Sequence, residues 1–425
     1  MCMDTQYGIM YSPNLWDWFI AFNHPKDVWR RQPTYLISEY TYYLGGLLTL
    51  IHALRMGGRY KYLWLASLLH GLFVENICFW FPEYIDNYWH SQTTVVLLGR
   101  RLPLHIIFLY PTFIYTASAS VARLRLPKWA EPFAVGLTVV LIDIPYDTTA
   151  VRFLHWAWHD TDANIYDRHY WVPWNSYYFH ATFAAAFTIL LNFYRKLVTK
   201  EEDRNVTASC GKEVLCSFLV GVTAMPLGVL MFVPVYHPLH DLFGIHNENC
   251  FFIILVIFLT IVWRADRHAG QASRPQKGVS NGWINELVLL LLVHYSVYLG
   301  CVSLADPGKE VSVGMHEVTG PCHEKVFIPT ILGIDLPRRK YFCTSDYDEG
   351  YFDFHCLPGG RAPADGLEWY TICGVPFANR MEYIAMEALI FFLALNVFFQ
   401  MHYASGTFPQ AVKKVQQARE KKKQR

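Results

Sequence analysis

The chain has 425 residues, of which 53% are hydrophobic, 16% aromatic and only 17% charged, and its formal charges nearly cancel at +1. Soluble globular chains average about 25% charged and 45–50% apolar residues, so both figures lean towards lipid and exclude a mostly disordered chain. The 36 Lys and Arg are matched by 35 Asp and Glu, which excludes a protein that reads nucleic-acid phosphates through a basic surface.

Residues 1–33 carry charges and prolines without a continuous apolar stretch, so no signal peptide is expected and the first span is the expected targeting element. A membrane span needs about 20 predominantly apolar residues. Nine such windows follow, at 34–54, 62–82, 102–122, 132–151, 177–197, 214–236, 250–263, 286–301 and 381–403. The seventh and eighth are short, and the fourth contains Asp143, Pro145 and Asp147. The predicted fold class is an all-α polytopic membrane protein with about nine transmembrane helices and a disulfide-containing luminal loop. Its expected order is a luminal segment 1–33, eight spans within 34–303, a luminal loop 304–380, a ninth span 381–404 and a basic cytosolic tail 405–425.

Lys and Arg set the orientation. One set of loops gathers Arg55, Arg59, Lys61, Arg123, Arg125, Lys128, Arg195, Lys196, Arg264 and Arg267 together with the C-terminal tail. Outside the long loop, that side holds roughly three times as many basic residues as the other, which predicts a luminal N-terminus and a cytosolic C-terminus. The long loop then lies in an oxidising compartment with Cys322, Cys343, Cys356 and Cys373, and two disulfides are expected in one of three pairings. Cys250 and Cys301 lie near the same membrane edge. The final Lys422-Lys423-Gln424-Arg425 resembles a dilysine retrieval address, which predicts an endoplasmic-reticulum membrane location and a retrieval receptor as partner; the alternative is a basic tail held by anionic headgroups. The sequon Asn205-Val206-Thr207 falls on the cytosolic side and is expected to stay unmodified.

Ionisable groups inside spans are costly and mark functional interiors. Glu39, His70, Glu75, Asn76, His105, Tyr110, Asp143, Asp147, His180, Glu382 and Glu387 nearly all fall in the luminal half of the bilayer, which predicts a cavity opening to the lumen. Asp143 and Asp147 are four residues apart and share a helical face, with Pro145 removing a backbone donor between them. Like charges there cannot both ionise cheaply, so the pair is expected to share a proton and to suit acid–base work. The alternative makes them structural acceptors for Arg152, His180 or freed backbone groups. Asn76 can equally serve as an interhelical hydrogen-bonding residue. His155, His159 and Asp160 offer an i, i+4 metal-type pair with a carboxylate, although Trp156, Trp158, Trp171 and Trp174 around them also fit an interfacial aromatic belt. His237, His240, Asp241 and His246 lie at the same level. No glycine-rich phosphate loop, nucleophile elbow or nucleotide fold is present, so no cofactor is expected.

The order of these motifs resembles the integral-membrane carotenoid biosynthesis proteins related to bisanhydrobacterioruberin hydratase. Glu75-Asn76, Tyr84 to Tyr88, Arg101-Leu-Pro103, Asp143-Ile-Pro145-Tyr-Asp147, Trp156-Ala-Trp158 and Trp171-Val-Pro173-Trp-Asn175 follow in the family's order over about 65–198. Pro145 lies between the two aspartates here instead of after the second. The resemblance implies hydration of an isoprenoid double bond. For that reaction Asp143 and Asp147 suit the acid and base roles and Glu75 that of alternate or cation stabiliser, an assignment made on these residues themselves, and Asn76, His105, Tyr110, Asn175 and His180 are the expected lining of a site for a hydrophobic small molecule. The competing class is a non-enzymatic lipid-binding, transport or scaffold protein, for which Glu286 and His294 would extend a polar path inward.

Overall fold

Pro33 fits the first turn of a helix, where its missing N–H costs nothing, and it opens α1 (Pro33–Met56), which ends at Gly57 with φ +66°. This computed structural model describes residues 15–82, 88–161, 166–200, 206–267, 284–330, 332–404 and 412–413. The tight turn after α1 leads into α2 (Tyr60–Trp80), and then come α3 (Leu104–Leu124), α4 (Glu131–Arg152), α5 (Trp174–Tyr194), α6 (Cys210–Tyr236), α7 (Asn247–Arg267), α8 (Glu286–Leu304) and α9 (Arg380–Phe399). Asn285 and Asn379 cap α8 and α9, accepting from the free N–H groups of their first turns.

The helices run alternately between two ends of the bundle. At one end Gln32 Nε2 donates to the carbonyls of Phe153 and Leu154, at 3.1 and 2.8 Å, and the Gln92 N–H donates to the Val313 carbonyl at 2.9 Å. At the other, Arg55 pairs with Glu286 at 2.6 Å, Arg123 Nε donates to the Met401 carbonyl at 2.8 Å, and Arg195 meets Glu213 at 3.2 Å. Among the described residues seven helices are long and apolar enough to cross a membrane. The expectation of nine spans is therefore met for seven. The helices α1 and α5 have the length, with 24 and 21 residues, but are diluted by Glu39, Thr49 and His52 in one and by Asn175, Ser176 and His180 in the other. The two spans expected to be short are full helices of 21 and 19 residues.

A strand-rich cap covers the first end, here the disulfide end. Strand β1 (Tyr88–His90) pairs antiparallel with β2 (Trp156–Trp158), Tyr88 opposite Trp158. After α8 the chain forms β3 (Val311–Met315), a hairpin of β4 (Lys325–Pro329) and β5 (Asp335–Arg339), then β6 (Phe352–Asp353) and β7 (Trp369–Gly374). The antiparallel sheet has the order β6-β7-β3, with Trp369 opposite Met315. Disulfides join Cys322 to Cys343 and Cys356 to Cys373, which selects one of the three pairings, and Cys250 and Cys301 are buried free thiols. The C-terminal dilysine lies outside the described residues, as does Asn205 of the sequon.

Candidate active-site cavity

The helix α4 carries the two aspartates and continues helical through Pro145. Pro145 has no N–H for the carbonyl of Leu141, four residues earlier. The Tyr295 hydroxyl takes that place, donating to the Leu141 oxygen at 2.8 Å, and His294 Nε2 lies 2.8 Å from the Ile142 oxygen. His294 thus serves the backbone of α4. Glu286 is held by Arg55 at 2.6 Å.

Against α4 lies α5. Gly136 permits their close approach, because a Cβ at that position would collide with the Ala181 carbonyl oxygen. That approach brings His180 Nε2 to 3.2 Å from Asp143 Oδ1. The Ser176 hydroxyl, one turn earlier on α5, donates to Asp147 Oδ2 at 2.6 Å. Asp143, Asp147 and His180 each place a ligand-type atom within 4.8 Å of the others, a donor set that suits a shared proton or a divalent cation.

Asp147 and His180 face a cavity of about 490 Å³, within the range of small-molecule sites. Asp143 is fully buried and stands behind Asp147 instead of lining the space. From α2, His70 and Glu75 reach the same cavity although they lie well apart around the helix, because the cavity also takes in Val74 and Cys78 between them. Glu75 accepts from the hydroxyls of Tyr110 at 2.7 Å and Tyr88 at 3.1 Å. Much of the remaining wall is apolar, including Phe113, Phe179, Phe183, Met225 and Phe232.

Of the other expected site residues, Tyr110 and Asn175 line the cavity, with Asn175 hydrogen-bonded to Asn247. Asn76 donates instead to the Leu72 carbonyl at 2.7 Å, and His105 is packed among the rings of Tyr35, Tyr42 and Tyr43. Glu39 and Glu387 hold structure together: Glu39 accepts from Thr94 and Tyr43, and Glu387 accepts from Thr148 and Thr149.

His155 and His159 flank a strand, not a helical turn, so the i, i+4 spacing does not bring them together. His155 meets Thr34 at 3.0 Å and stacks on Tyr35. His159 lies 3.2 Å from Glu349 and 3.1 Å from His316, while the Asp160 N–H donates to Glu349 at 2.8 Å. Burial pushes His159 down to about 3 and Glu349 and Asp160 up to about 7, and the contacts of the cluster fasten the cap to β2. Trp156 and Trp158 are buried on the cavity side of the strand, which corrects the reading of these two as an aromatic belt. In the second histidine group, Asp241 engages both His237 at 2.8 Å and His240 at 2.9 Å, and His246 lies 3.2 Å from Asp167.

Sequence reasoning did not single out Ser176 or the β4-β5 hairpin, whose Ile328, Leu336 and Arg338 line the cavity at the disulfide end, and it gave Tyr88 no place in the site.

A bundle of long apolar helices with a largely apolar cavity beneath a disulfide-bonded cap defines a multi-pass membrane protein. Residues 9–403 match the family described as Domain of unknown function (DUF7802), and the chain belongs to that family. No curated protein matches the chain, and no solved structure does.

Proposed function

We propose that the chain is an endoplasmic-reticulum membrane enzyme of nine spans, with a luminal N-terminus and a cytosolic C-terminus, that adds water to a double bond of an isoprenoid or similar lipid. The observation that carries this reading is a carboxyl pair with an adjacent histidine at a largely apolar cavity, which Asp147 and His180 line. Carboxyls aimed at such a wall can transfer a proton where bulk water does not compete. The resemblance of the motif order to the bisanhydrobacterioruberin hydratase family favours the same chemistry.

Asp147, the member of the pair that faces the cavity, gives the shared proton to an alkene carbon and leaves a tertiary cation. Water adds to the cation and returns a proton to the pair. Glu75, facing the same space from α2, stabilises the cation as a carboxylate. Asp143 acts through Asp147, and His180 and Ser176 position the two carboxyls. Against transport stands the engagement of Glu286 and His294 in structural bonds.

The test is the amide series Asp147→Asn, Asp143→Asn and Glu75→Gln, each expressed in cells lacking the protein, with lipid extracts compared by mass spectrometry. Loss of a general acid costs about 10²- to 10⁴-fold, so Asp147→Asn is expected to abolish the hydrated product. Lipids unchanged in all three variants would sink the proposal.

A further inference from the structure

The hairpin carries two consecutive arginines with opposite fates. Arg339 is paired, at 3.2 Å with Asp160 and 2.7 Å with Asp346. Arg338 points the other way, opposite Val326 in the register and on the hairpin face that carries Ile328 and Leu336 into the cavity. It is only 8% exposed, its Nε donates to nothing, and no carboxylate among the described residues pairs with it. Trp156 and Trp158 line the same cavity, and their indole N–H groups likewise donate to nothing among the described residues. A guanidinium and an indole N–H can only donate. Three donor-only groups without acceptors around one cavity are costly to bury unless a ligand brings the acceptors. The planar fork of arginine matches a phosphate or carboxylate, and a buried guanidinium gains most from an anion.

We propose that the cavity takes an amphiphile with an anionic head, a phosphate or carboxylate held by Arg338 at the disulfide end, and an apolar chain running inward towards Asp147. This rests on the reading of the cavity as a lipid site and adds the class of lipid. The acidic groups deeper in, Asp147 and Glu75, would repel the head, so only one orientation is allowed. In it the head stays under the hairpin and a double bond along the chain meets the carboxyl pair.

The test uses the full chain in phosphatidylcholine nanodiscs, titrated with dodecyl phosphate and dodecan-1-ol and read by the fluorescence of the cavity tryptophans. The expected result is at least tenfold tighter binding of the phosphate, about 1.4 kcal/mol. Arg338→Gln should reduce the phosphate to the level of the alcohol while alcohol binding, the measure of an intact cavity, is unchanged, and Arg338→Lys should keep part of the preference. Farnesyl phosphate, lysophosphatidate and laurate then separate an isoprenoid phosphate, a glycerolipid and a fatty acid as the source of the head; a preference for any of them that is lost in Arg338→Gln supports the proposal. Equal wild-type affinities for dodecyl phosphate and dodecan-1-ol overturn the anionic head and leave the lipid cavity standing. Binding of neither overturns both.

Discussion

Pro145 leaves one carbonyl of α4 without its helical donor, and the Tyr295 hydroxyl supplies a substitute from α8 at 2.8 Å. Removing that hydroxyl strands a buried acceptor, so Tyr295→Phe is expected to destabilise the protein by about 1–3 kcal/mol. In a Pro145→Ala background the restored N–H serves Leu141, and the same Tyr295→Phe change should cost much less. A double-mutant cycle by thermal unfolding checks this; equal costs in both backgrounds would show that the tyrosine acts otherwise. Glu310, just after α8, presents a second residue-scale test. Burial pushes its carboxyl up to about 8, with the Thr34 N–H as a long donor at 3.4 Å. A carboxyl raised in the fold stabilises fully below its ordinary range and loses that contribution as the pH climbs through about 8. Glu310→Gln is therefore expected to melt with the wild type near pH 5 and above it near pH 9. Parallel melting at the two pH values would contradict the assignment. The closeness of Asp143 to Asp147 was legible at this scale because it needs only residue type and helical phase. Arg338 was not, since what distinguishes it from Arg339 is which face of a hairpin it occupies.

Between elements, the decisive contact is the approach of α4 to α5 at Gly136. A methyl group there meets the Ala181 carbonyl, so Gly136→Ala is expected to force the helices apart and to separate His180 from Asp143. The predicted outcome is a loss of about 1–3 kcal/mol in stability together with lipid-processing activity; retention of full activity would show that the His180–Asp143 contact is dispensable. The two disulfides close loops with sequence separations of 21 and 17 residues. Replacing either pair with serine should cost about 2–4 kcal/mol, measured as lower melting of the cap and freer proteolysis within it. Helix positions followed from apolar windows. The Trp-Ala-Trp segment misled because its spacing fits a belt as well as a strand: alternate residues of a strand share one face, which puts both tryptophans on the cavity and sends His155 and His159 the other way.

For the whole molecule, the seven apolar helices among the described residues and the position of the cysteine-bearing segment could be read from hydropathy and cysteine spacing. Mean hydropathy of +0.16 is low for such a protein, and it has a located cause in the strand-rich cap and in the polar groups of α1 and α5. The cavity roof was not legible, because it is formed by segments more than 150 residues apart in sequence that meet only after the helices have packed. The nine-span orientation predicts that cysteines introduced near Arg125 react with a membrane-impermeant reagent from the cytosol, and that ones near Leu332 do so only from the lumen; reversed labelling would invert the arrangement.

The central claim is that Asp147 works on a lipid held in the cavity. Its most direct measurement is untargeted lipidomics of cells lacking the protein, restored with wild type or Asp147→Asn at equal abundance. The account predicts that an unsaturated, anionic lipid accumulates in the null cells, that a species heavier by one water is lost, and that wild type reverses both while Asp147→Asn reverses neither. Full restoration by Asp147→Asn would contradict it.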